Sequence, residues 1–239
     1  EVAINTFMQK NNLLQGEGYV PINSTFQNIY DEETETSWMT NEDGQKFFEL
    51  IRDSRMSIVL SHGNSSGCFV VNPGVGENGE PLVIDSDDIC ALPQGYFNSC
   101  ELIMVICCYG GDFGLTDDEG FSLSLAEAFA DRGAKRVVSV YGSVLQSDAQ
   151  EFIYNFFAYL AYTEYDSIEY REPGIKPTYK GALQYAVKES FQPTGEGIPT
   201  TITFNAFDGT NLSKVDFYKN DARVATIIGD GDFDEKFEE

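Results

Sequence analysis

Residues 105–114 read VICCYGGDFG, so an apolar run ends in two adjacent thiols, a tyrosine and paired glycines. The single histidine, His62, ends another apolar run, MSIVLSH, and is also followed at once by glycine. A thiol held beside an imidazole is a nucleophile with its base: the imidazole takes the proton and the thiolate attacks a carbonyl carbon. Main-chain N–H groups in the glycine turns are then placed to hold the oxyanion. Glycine suits that position because it lets a carbonyl approach the backbone closely. A lone histidine at a strand end is ordinarily structural; the matching cysteine and the two glycine turns favour chemistry here.

Two elements must position these groups. ELIMVICC is continuously apolar after Glu101 and reads as a buried parallel strand, stopped by Gly110 and Gly111. MSIVLSHG reads as a second buried strand. As neighbours in a parallel sheet, the two would bring His62 and Cys108 together at the carboxyl edge, where α/β proteins place their sites. By alternation along the strand, Cys107 is expected to pack inward.

The surrounding pattern is strand–helix–strand–helix, which predicts an α/β fold with a mainly parallel central sheet. EDGQKFFELIRD reads as a helix capped at Thr40-Asn41, and CFVVNPGVGENGEPLVID as a hairpin. ICALPQGYF reads as a short helix or turn, and DFGLTDDEG as a loop. SLSLAEAFADRG is a helix with Ser122 or Ser124 as N-cap, followed by the strand AKRVVSVYGSV. DAQEFIYNFFAYLAYTEY and YKGALQYAVKES are further helices. TITFNAF, KVDFYKN and ARVATII are alternating strands, so residues 196–239 form a β-rich extension to a main domain at 1–195, either within it or as a separate module.

The 239-residue chain has ample apolar material for a core, and its formal charge of −24 disfavours nucleic acid and anionic membranes while favouring cationic ligands. No apolar run approaches the ~20 residues that span a bilayer, so no membrane insertion is expected. Glu1 without an initiator Met reads as a processed or engineered start, and no signal peptide is expected, which leaves secreted and cytoplasmic locations open. Cys68, Cys90, Cys100, Cys107 and Cys108 are odd in number, lack C-x-x-C pairs and meet one histidine, which argues against zinc and against a disulfide scaffold.

At the two strand ends the sequence resembles the caspase-like clan of cysteine peptidases. IVLSHG and MVICCYGG match its pattern of one strand ending His-Gly and another ending Cys-x-[Gly/Ser]-Gly. SLAEAFADRGAKRVVSVYGSV, DAQEFIYNFFAYL and GALQYA resemble the segments that follow in CHAT-domain, gingipain and clostripain-type members. The resemblance covers residues 45–190 and implies a three-layer α/β/α sandwich. It further implies a cysteine endopeptidase with His62 as general base, Cys108 as nucleophile, and an oxyanion hole from the N–H groups of Gly63 and Cys108. No third catalytic residue is implied. Relatives often carry an acidic residue or glutamine where this chain has Ile106.

Asp148 lies where CHAT domains often carry an aspartate, and with Asp85, Asp87 and Asp88 it is a candidate to bind a basic substrate side chain. The 165–180 loop, with Arg171, Lys176 and Lys180, is a candidate self-cleavage site. No cofactor is expected. Calcium stays open because some clan members need it, but Asp230, Asp232 and Asp234 imitate only part of a calcium loop, with Glu235 in place of the required glycine. A non-catalytic caspase-like scaffold or sensor module is the competing function. An α/β-hydrolase is disfavoured because its nucleophile precedes its histidine.

Overall fold

The computed structural model describes residues 48–65, 67–72, 82–112, 114–115, 121–161, 177–190, 200–205, 211–219, 222–229 and 233. The continuous apolar run forms strand β5 (Leu102–Ile106), every residue of which is buried. It pairs in parallel with β1 (Met56–Leu60) on one side and with β8 (Arg136–Val140) on the other. A strand flanked on both sides and covered on both faces has no polar side to show, hence its unbroken apolar sequence.

Alternation along β5 divides the core in two. Leu102, Met104 and Ile106 pack with Phe152, Phe156 and Leu183 from the helices Gln146–Ala161 and Tyr179–Ser190. Ile103, Val105 and Cys107 face the other way, toward Phe97 and toward Leu125 and Phe129 of the helix Leu125–Asp131. Helices therefore cover both faces of the sheet. Burying each such phenylalanine contributes roughly 2–3 kcal/mol, so the strand that ends in Cys108 is held firmly from above and below.

The last strands, β9 (Thr200–Asn205), β10 (Asn211–Lys219) and β11 (Ala222–Gly229), continue this sheet in antiparallel fashion. The complete order is β1-β5-β8-β11-β10-β9, with β11 hydrogen-bonded directly to β8. Between β1 and β5 lies a second sheet of β2 (Gly63–Asn64), β3 (Cys68–Asn72) and β4 (Leu82–Asp85), followed by helix α1 (Ser86–Cys90). The expected hairpin is thus present as β3 against β4. Within the segment read as a loop, Gly114–Leu115 forms the short strand β6, which pairs with β7 (Phe121–Ser122) just after it.

Helix α2 is Leu125–Asp131, α3 is Gln146–Ala161 and α4 is Tyr179–Ser190. Of the two serines considered as caps for α2, Ser124 takes the role. Its hydroxyl accepts the Glu127 N–H at 3.1 Å while Glu127 Oε2 accepts the Ser124 N–H at 3.0 Å. The other carboxyl oxygen of Glu127 meets Lys214 Nζ of β10 at 3.1 Å, tying the helix to the C-terminal half of the sheet. Lys180 lies within α4, its N–H bonded to the Phe233 carbonyl, so it is not part of an open loop. Arg171, Lys176, the Thr40-Asn41 cap and Asp230, Asp232 and Asp234 lie outside the described residues. Among the described residues no helix is long and apolar enough to cross a membrane.

Candidate active site

The register of β1 on β5 places the histidine. Met56 faces Leu102 and Leu60 faces Ile106, and the ladder runs one step further as the Ser61 N–H donates to the Ile106 carbonyl at 3.2 Å. The ladder ends there, and its offset, extended past the last pair, would set His62 level with Cys108 just beyond the carboxyl edge of the sheet. Gly63 then presses on the cysteine backbone: a Cβ there would overlap the Cys108 carbonyl oxygen and lie 3.1 Å from Cys107 Sγ. Only a residue without a side chain fits. His62 itself is exposed, and among the described residues its ring makes no hydrogen bond.

The two cysteines have opposite surroundings. Cys107 is fully buried in the core behind Gly63 and Gly110, and burial pushes its thiol up to about 12. It is a packing residue, as alternation predicts. Cys108 is half-buried, and its Sγ lies 3.4 Å from the Val144 nitrogen, whose N–H points at it. The Ser143 hydroxyl is 3.9 Å from the same sulfur and the Val144 carbonyl 3.5 Å. The sulfur therefore rests against the loop between β8 and α3. Among the described residues it makes no hydrogen bond to the His62 ring.

The cysteine turn is tightly built. Tyr109 adopts left-handed backbone with φ 62°, uncommon for a residue with a side chain. The Gly110 Cα sits so close to Ser139 and Cys107 that a Cβ would lie 2.6 Å from the Ser139 hydroxyl. Of the two N–H groups expected to hold an oxyanion, that of Cys108 makes no backbone hydrogen bond among the described residues. Gly63 faces Phe69 in the β2–β3 ladder.

The acidic candidates separate. Asp85 is the N-cap of α1, accepting the Asp88 N–H at 2.9 Å, while Asp88 Oδ2 accepts the Asp85 N–H at 3.1 Å. These two carboxylates complete a capping box, a role legible in their D-x-x-D spacing. Asp87 is exposed in the first turn of the same helix. Asp148 is half-buried in the first turn of α3, one helical turn after the Val144 that touches the sulfur. It is the candidate nearest along the chain to the Cys108 contacts. Among the described residues no group of three or more His, Cys, Asp or Glu side chains is arranged to share a metal ion.

Sequence reasoning did not single out Ser143, Val144 or Asp112, which contact or brace the cysteine turn. For Ser143 and Val144 the one signal is their place in the strand-end pattern Tyr141-Gly142-Ser143-Val144, an apolar strand followed by a glycine turn as at the other two strand ends. No protein-family model matches the chain, and no curated protein matches it.

Proposed function

We propose that the chain is a cysteine endopeptidase with a caspase-like three-layer fold, Cys108 as nucleophile and His62 as acid–base partner. What supports this reading is that the two residues follow the ends of adjoining parallel strands and are spaced in sequence by the same offset as the ladder. The Cys108 sulfur attacks the scissile carbonyl carbon, a C–S bond forms, and the oxyanion is held by the Cys108 N–H with Gly63 as the expected second donor. His62 takes the thiol proton and returns it to the departing amine as the C–N bond breaks. Water then hydrolyses the thioester, releasing the acid and restoring the thiol. A substrate lying between sulfur and imidazole needs no direct bond between the two in the free enzyme.

Asp148 favours a basic side chain just before the scissile bond, since it is partly exposed one helical turn beyond the Cys108 contact. The competing reading is a caspase-like scaffold without activity. It draws on one observation: the His62 ring has no orienting partner among the described residues. Hydrolysis of a positional peptide library, compared between the wild-type chain and Cys108→Ala, separates the two.

A further inference from the structure

Three hydrogen bonds close a ring between the cysteine turn and the loop that leaves β8. The Tyr109 N–H donates to the Gly142 carbonyl at 2.7 Å, and the Asp112 N–H donates to the Tyr109 carbonyl at 3.0 Å. The Gly142 N–H completes the ring by donating to Asp112 Oδ2 at 2.7 Å. Two of its members, Tyr109 with φ 62° and Gly142 with φ 64°, hold left-handed backbone. A non-glycine residue keeps that conformation only where its surroundings enforce it.

Asp112 supplies the one side chain of the ring, and what the ring holds is the position of the sulfur. Tyr109 follows Cys108 directly. The Val144 N–H that points at Cys108 Sγ lies two residues beyond Gly142. Loss of the carboxyl acceptor leaves Gly142 held only through its carbonyl, which loosens both the left-handed turn and the Val144 donor. The turn is also held by the Gly111 N–H on the Val140 carbonyl at 2.9 Å and the Ala126 N–H on the Gly110 carbonyl at 3.3 Å. Asp112 adds a side-chain bond to the Gly142 N–H, in the loop that carries Val144 to the sulfur.

We propose that Asp112 is a positioning residue for the Cys108 nucleophile, acting through the Gly142 N–H. The proposal rests on the peptidase reading of Cys108. An oxygen acceptor at this reach is the required feature, so asparagine, whose amide oxygen accepts at the same place, substitutes for it and alanine does not.

The test compares wild type, Asp112→Asn and Asp112→Ala for steady-state hydrolysis of the best peptide from a positional library. Amide hydrogen exchange is followed in parallel in peptides covering 105–112 and 138–146. In Asp112→Ala, kcat falls by about 100-fold, the scale of a small misplacement of a reacting group, while KM stays within about twofold. Exchange quickens in both segments together and stays at the wild-type rate in β10 and β11. Asp112→Asn restores most of both signals. Unchanged exchange in Asp112→Ala, quickened exchange with kcat retained, or faster exchange throughout the sheet each overturns the proposal. Should the wild-type chain hydrolyse no peptide, the peptidase reading fails, and exchange in the two segments alone decides whether Asp112 holds the turn.

Discussion

Leu60 stands opposite Ile106 at the end of the one unbroken parallel register that pairs β1 with β5, with Met56 opposite Leu102 and the Ser61 N–H bonded to the Ile106 carbonyl, two residues short of His62 and Cys108. The spacing of the two residues in sequence equals the offset of the ladder. An insertion or deletion anywhere between the two strand ends leaves that match intact only if the strands keep their register. In a buried sheet a slip of one residue would turn every side chain to the opposite face.

The close approach of Gly63 to the Cys108 carbonyl gives a sharp prediction. Gly63→Ala places a methyl group on that oxygen and against Cys107, so the β1 end or the cysteine turn must shift. A destabilisation of about 1–3 kcal/mol is expected for such overpacking, together with loss of reactivity at Cys108. Chemical denaturation and thiol labelling measure the two effects, and a variant that is normal in both would contradict the packing described.

The buried thiols make the fold sensitive to alkali. Burial pushes Cys107 and Cys100 from 9.0 up to about 12. The folded chain keeps these protons at a pH where the unfolded chain releases them, so their contribution is full below pH 9.0 and is lost as pH rises toward about 12. Thermal midpoints should fall across that window, and Cys107→Ala should make the fall shallower even though its midpoint at neutral pH is lower. Identical slopes for the two proteins would remove Cys107 as a cause.

Behind the cysteine turn, Tyr141 donates its hydroxyl to Asp216 at 2.8 Å, and Arg223 meets the other carboxyl oxygen at 3.4 Å while stacking on the Tyr141 ring at 4.1 Å. Asp216 is wholly buried. Asp216→Ala leaves the tyrosine hydroxyl without its acceptor and the arginine without its counter-charge, which costs on the order of 3 kcal/mol. Asp216→Ala with Arg223→Leu and Tyr141→Phe should recover part of that loss, as equilibrium unfolding would show.

For specificity, Asp148→Asn should lower kcat/KM on substrates with Arg or Lys before the scissile bond by about tenfold, leaving neutral substrates nearly unchanged. Equal effects on both substrate classes would remove Asp148 as the basis of any preference for basic residues.

Much of this fold is legible in the chain because its strongest signals are long and consistent. The run after Glu101, the helical spacing that begins at Asp148 and the alternation after Pro199 each became the expected element, the helix starting two residues earlier at Gln146. Whether the last strands joined the main sheet was not legible, since β11 pairs with β8 across more than 80 residues of chain and strand alternation carries no information about the partner. The thiol and imidazole were visible from residue type and the glycines beside them. Asp112 and Val144 were not, because one acts through its carboxyl bond to a backbone N–H and the other through its own backbone N–H. The Asp85–Asp88 capping box was not read, although its D-x-x-D spacing is the signal, because the helix that it starts spans only Ser86–Cys90.

The most direct test of the dyad is mass spectrometry of the wild-type chain, Cys108→Ala and His62→Ala after exposure to a panel of peptidyl acyloxymethyl ketones, alongside hydrolysis of a positional peptide library. The account predicts one adduct, on Cys108 of the wild-type chain, with hydrolysis abolished by Cys108→Ala and reduced at least about 100-fold by His62→Ala. Hydrolysis that persists in Cys108→Ala, or a wild-type chain that neither cleaves any peptide nor takes up any probe at Cys108, would contradict it.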